Sequence, residues 1–221
     1  MKRLFILLAI SIVIISCQFS TASSDPTGTP ISPPESTQPP ESTRPPKPTL
    51  PPIPTTKPKG EDMVGKDLHG TNMSKAVLKD ANLFEANLQD VNLEGAFMLG
   101  ANLSWADLSR ASLKNANMQN AELINANLSG ANLYKTDLRS ANLSGAVLRY
   151  AYLLSANLMG ANLQGADLAD ADLSGTNLRD ANLMGTNLGD AKNIKEANLN
   201  GATMPDGLKF DPLNPDRGVN D

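Results

Sequence analysis

From Leu68 to Leu188 every fifth residue is Leu or Met, an unbroken register of 25 positions of which 22 are Leu. Two places before each stands Ala in 19 repeats, and the residue between is Asn or Asp in 19. The unit therefore reads Ala-(Asn/Asp)-Leu-x-x. Five residues rotate an α-helix by about 140°, so this Leu stripe would wind around the cylinder instead of forming one face. A straight strand fails as well, because residues i and i+5 point to opposite faces. The pattern becomes consistent when the chain turns a corner once per repeat and returns each Leu inward. That is a solenoid lined by stacked Leu side chains, in which each coil hydrogen-bonds the next as neighbouring strands do.

The remaining positions agree with a corner. Two residues after each Leu stands Gly, Asp or Asn in 17 of the 25 repeats, as at Asp80, Gly95, Asn115 and Gly130. These residues tolerate positive φ at the second central position of a type II turn. Trp105 and Tyr150 occupy the same slot and predict that some corners use a different turn. The small residue before the slot leaves room for the Leu, and each buried Leu contributes on the order of 1.5–3 kcal/mol before entropy.

The repeat has readable ends. Met63 lies in frame and opens the first coil. Between Leu188 and Ile194 the spacing stretches from five residues to six, after which Leu199 and Met204 resume the period. The extra residue reads as a bulge near the C-terminal cap. The tail, residues 205–221, holds Pro205, Pro212 and Pro215 with little apolar density, and is expected to cover the last coil or to fray.

Runs such as Ala156-Asn157-Leu158-Met159-Gly160-Ala161-Asn162-Leu163-Gln164-Gly165 resemble the pentapeptide repeat family. The resemblance implies an all-β fold, a right-handed four-sided parallel β-helix with four repeats per coil. It covers residues 61–204 and implies about seven coils, a rod about 34 Å long at ~4.8 Å per coil.

The N-terminus has a different character. Lys2 and Arg3 precede an apolar run, Leu4 to Ile15, too short to span a bilayer comfortably; residues 1–16 read as a signal peptide. Ile14-Ile15-Ser16-Cys17 resembles the bacterial lipobox, which implies lipid attachment at Cys17. As the sole cysteine, Cys17 also excludes an intrachain disulfide framework. The linker, residues 17–60, is rich in Pro, Thr and Ser, with 13 of the 16 prolines falling in residues 19–60. Such a segment is expected to be disordered and extended, a stalk reaching at most about 130 Å at ~3.1 Å per residue.

No catalytic constellation is evident, and no cofactor, metal or small-molecule substrate is expected. His69 is the only histidine and reads as a surface residue. The carboxylates Asp167, Asp170 and Asp172 suggest calcium, but Asp167 and Asp172 occupy the ordinary Asn/Asp slot and read as turn residues. Val77 and Phe97 lie twenty residues apart, on one face of adjacent coils, and mark a small apolar patch. Removing residues 1–16 takes the formal charge from −4 to −6, which disfavours binding to nucleic acid. The reading that results is a non-catalytic extracytoplasmic lipoprotein. It is held at the membrane by its lipid and presents a rigid rod to an unidentified protein, or serves as a spacer. Phe97, Trp105 and Tyr150 are its candidate anchors. The alternative is a cytoplasmic DNA mimic that binds DNA gyrase, as some pentapeptide repeat proteins do; the export signal argues against it.

Overall fold

The computed structural model describes residues 60–215 and Gly218; the signal segment, Cys17 and the proline-rich stretch lie outside them. Within the described residues the Asn/Asp slot forms the ladder. Asp62 pairs with Asn82, Asn82 with Asn102 and Asn102 with Glu122, always in the parallel sense, and the series continues through Asn142, Asn162 and Asn182 to Thr203. Twenty residues are four pentapeptides, so every coil has four sides. We number the sides by the inward residue of the first coil: Met63 on the first, Leu68 on the second, Met73 on the third and Leu78 on the fourth. The β character takes the form of isolated bridges and not of strands, because each bridge residue is followed at once by a corner.

Three hydrogen bonds per repeat join the coils, and the repeat around Leu128 shows them. The slot amide Asn127 N–H donates back to Ala106 O at 2.9 Å, Leu128 N–H donates forward to Val147 O at 2.7 Å, and Gly130 N–H donates forward to Arg149 O at 2.8 Å. A turn bond from Ala131 N–H to Leu128 O at 3.0 Å closes the corner. From Gly65 to Gly185 the corner residue has positive φ whatever its side chain: 66° at Gly130, 54° at Lys135, 62° at Trp105 and 58° at Tyr150. The expectation of a different turn at Trp105 and Tyr150 is therefore corrected. Their amides, like those of the Gly corners, donate to the next coil, Trp105 to Ile124 O at 2.9 Å and Tyr150 to Ala169 O at 3.0 Å. The ladder holds the corner in the left-handed region even though this costs a non-Gly residue about 1–2 kcal/mol.

The core is built from the solenoid's own residues, Met63 to Met204, with Leu or Met in the middle and Ala at the corners. Where Thr replaces Ala, its buried hydroxyl finds a carbonyl: Thr136 Oγ1 donates to Leu113 O at 2.7 Å and Thr176 Oγ1 to Leu153 O at 2.9 Å. The slot side chains brace the outside. Asn127 Oδ1 accepts the Ser129 N–H at 3.1 Å, while Asn127 Nδ2 donates to Asp107 Oδ1 one coil earlier at 3.1 Å. Asp172 accepts the Ser174 hydroxyl at 2.7 Å, the Asn193 amide at 2.8 Å and the Ser174 N–H at 3.0 Å. These donors, the Ser174 hydroxyl first, hold its pKa below the ordinary 3.8. Burial raises the pKa of Asp137, but its hydrogen bonds from Arg139 outweigh that and leave it lowered.

The extra residue near the C-terminus is absorbed as expected. Two 3-10 turns, Leu188–Asp190 and Ile194–Glu196, flank it, and Asn193 between them is left-handed at φ 58°. Bridges beyond it step by one more residue, Asn177 to Asn198 and Asn182 to Thr203. The tail covers the end of the rod on its first side: Lys209 pairs antiparallel with Thr203, and Phe210 N–H donates to Ala202 O at 2.9 Å.

Two predictions test this architecture. Leu128→Asp buries an unpaired carboxylate in the axial stack and should cost several kcal/mol. Asn127→Ser loses the amide bridge to Asp107 but keeps an oxygen able to accept the Ser129 N–H, and should cost about 1 kcal/mol; equal losses in urea melts would contradict the inward and outward assignment. Asp172 has a lowered folded-state pKa, so its contribution is present above the unfolded-state value and is lost as pH falls through the folded one. Thermal stability should hold above about pH 5 and decline below about pH 4, and Asp172→Asn should flatten that decline.

Candidate interaction surface

Outward residues twenty apart stack in columns, so each side of the rod can be read as a surface. Many of its charges are spent on the rod itself. Arg110 grips Asp90 with two bonds, Nε at 2.8 Å and Nη2 at 2.6 Å, and this first of all lowers the Asp90 pKa. His69 Nδ1 lies 3.8 Å from the same carboxylate. Arg139 pairs with Asp137 at 2.8 Å, Arg149 with Asp167 at 3.3 Å and Arg179 with Asp180 at 3.3 Å. The carboxylates that suggested calcium are partnered too: Asp170 with Lys192 at 3.1 Å, Asp167 with the Asn187 amide at 2.8 Å, and Asp172 as described. Among the described residues no three His, Cys, Asp or Glu side chains come together as a metal site.

The three residues singled out in the sequence do not share a surface. Phe97 lies on the fourth side, bridged to Val77; these two are 37% and 67% exposed and form the small apolar patch expected of them. Trp105 sits at the corner between the first and second sides and is only 7% exposed, which removes it as an anchor. Tyr150, at the corner between the second and third sides, is 54% exposed.

Tyr150 has company that the single-residue reading missed. Tyr152 and Leu154 flank the inward Leu153 on the third side, 57% and 41% exposed. Tyr134 lies one coil below Leu154 in the same column, half-buried, with Lys135 Nζ 5.0 Å from its ring centroid. Three tyrosines and a leucine thus lie on or at the edge of the third side of two adjacent coils, where the column of Tyr134 and Leu154 elsewhere holds Ser74, Glu94, Lys114 and Ser174. The step of twenty was the signal that finds them: Tyr134 and Leu154 share a column, and Tyr152 and Leu154 share an outward parity.

Comparison with known proteins agrees with this geometry. The profile described as "Pentapeptide repeats" matches in eight copies across residues 63–100, 101–139, 126–165, 136–175 and 166–204. No curated protein sequence matches the chain. Among solved structures, the plasmid-mediated fluoroquinolone resistance protein QnrB1 is similar at 18% identity and a TM-score of 0.61, over 69% of this chain and 76% of that one. That likeness concerns the fold alone. A pentapeptide repeat protein from the thylakoid lumen of Arabidopsis thaliana is 32% identical over 42% of this chain and 64% of its own, with a TM-score of 0.41. With its repeats spanning most of the chain, the protein belongs to the pentapeptide repeat family.

Proposed function

We propose that the protein is a non-catalytic, exported lipoprotein. A lipid on Cys17 would anchor it outside the cytoplasm, and its solenoid, right-handed as in its family, would be a rigid rod that binds another protein. The observation that carries the binding role is the exposed group of Tyr150, Tyr152 and Leu154 beside Tyr134 on a mostly polar rod. Tyrosines of this kind supply contact area at low entropic cost and serve as interface anchors. Phe97 with Val77 is a second, smaller contact. Support for export and anchoring comes from the sequence: Lys2 and Arg3, the apolar run after them, and Cys17 at its end.

The DNA-mimic alternative rests on likeness of fold, and the charge of the rod weakens it. Residues 61–204 carry 16 acidic and 11 basic side chains, and five carboxylates are tied into ion pairs with Arg or Lys. With basic side chains interspersed among its carboxylates, such a surface lacks the unbroken single-sign charge of duplex phosphates.

The two parts of the reading are tested separately. A palmitate analogue should label the wild-type protein in cells and leave Cys17→Ser unlabelled; label that survives the substitution would remove the lipid anchor. Purified rod should capture a defined envelope protein, and Tyr152→Ser with Leu154→Ser should weaken that capture at least tenfold, a loss of about 1.4 kcal/mol. Strong inhibition or protection of gyrase in a supercoiling assay, with no envelope partner, would replace this function with DNA mimicry.

A further inference from the structure

The two ends of the solenoid are not equivalent. At the C-terminal end the first side is closed by an antiparallel bridge to the chain's own tail, with Met204 N–H donating to Leu208 O at 2.7 Å and Phe210 N–H to Ala202 O at 2.9 Å. At the N-terminal end nothing among the described residues plays that part. In the later coils, Asn187 excepted, the slot residue turns both backbone groups toward the coil before it: Asn82 N–H donates to Glu61 O at 2.8 Å, and Asn82 O accepts Met63 N–H at 2.8 Å. In the first coil these residues are Asp62, Asp67, Asn72 and Val77, one per side. Their N–H and C=O groups point off the end of the rod and take no backbone partner among the described residues.

A residue that presents both its N–H and its C=O to one edge is what a hydrogen-bonded antiparallel pair requires, since the two members exchange both bonds. An open sheet edge of this kind is a template for pairing. The segment preceding the rod is poorly suited to fill it, because seven of the fourteen residues between Arg44 and Lys59 are prolines and proline has no amide to donate. A second copy of the same end is well suited. A two-fold axis through the Gly70 corner sets the second side against the third and the first against the fourth, in the antiparallel sense.

That axis also matches charge. Residues 61–69, on the first and second sides, carry Glu61, Asp62 and Asp67 against Lys66 alone; residues 71–79, on the third and fourth, carry Lys75 and Lys79 and no carboxylate. It would also cover the half-buried Leu68 and Met73, the least protected part of the axial core. We infer that the protein self-associates through this open first coil. Two rods would join N-terminal end to N-terminal end by antiparallel backbone pairing, with Asp67 opposite Asn72 and Asp62 opposite Val77 of the other copy. The contact is one cross-section of a narrow rod, smaller than the ~800 Å² per partner of a standard interface, so a dissociation constant of about 1–100 μM is expected.

Sedimentation velocity on the compact unit Pro54–Asp221, whose core is internal to it, reads this directly. The wild type should pass from monomer to dimer over about 1–100 μM. Asn72→Pro removes a backbone donor that has no backbone partner among the described residues, and Val77→Asp sets a carboxylate opposite Asp62 at an exposed position; each should weaken the dimer at least tenfold. Asp67→Cys combined with Asn72→Cys, in a unit that lacks Cys17, should form a covalent dimer under mild oxidant, since paired Cα atoms ~5.5 Å apart suit a disulfide. A monomer throughout the range overturns the inference. So does a dimer that both substitutions leave intact, or one in which the cysteine pair fails to cross-link.

Discussion

Everything in the rod depends on the slot residue giving its amide to one coil and its neighbour's amide to the next. Those bonds fix the rise, the rise stacks Leu on Leu, and the stack excludes water from an interior only one or two side chains wide. A solenoid of this kind has no long-range core to fall back on, because each coil contacts only its neighbours. Stability must therefore be supplied repeat by repeat. The unbroken register from Leu68 to Leu188 is what that requirement looks like in sequence.

The corners show which force wins when two compete. At Lys135, Ser155 or Tyr150 the side chain disfavours positive φ, while the inter-coil hydrogen bond requires it. The backbone adopts φ between 54° and 58° at these three positions, so the ladder prevails over the intrinsic preference. The same logic explains Thr136 and Thr176, where a hydroxyl enters the core and is satisfied by a carbonyl, so that a polar atom does not weaken the small-residue corner.

Much of the fold was legible from spacing alone. A period of five excluded helix and strand, and the six-residue step between Leu188 and Ile194 announced a bulge, which the structure puts at Asn193. The four sides came from the family resemblance and are visible in the step of twenty between bridges. Trp105 shows where spacing stops: outward position in a repeat does not establish exposure, which depends on what lies over the residue. The Tyr150 cluster failed to emerge for a related reason. Its members are scattered over 21 residues of sequence from Tyr134 to Leu154, and only the coil number brings them together. The pairing of Asp167, Asp170 and Asp172 with amides and Lys192 likewise depends on side-chain reach across coils, which a repeat pattern does not encode.

Native-state hydrogen exchange, resolved to single amides, tests the central claim that one ladder governs every corner. The corner amides of Trp105, Lys135, Tyr150 and Ser155 should be as protected as those of Gly130, Gly145 and Gly160, opening only with their coil. Exchange at the bulky corners that is orders of magnitude faster than at the glycine corners would show that those amides do not reach the next coil, and that the rod is a series of patches instead of one continuous ladder.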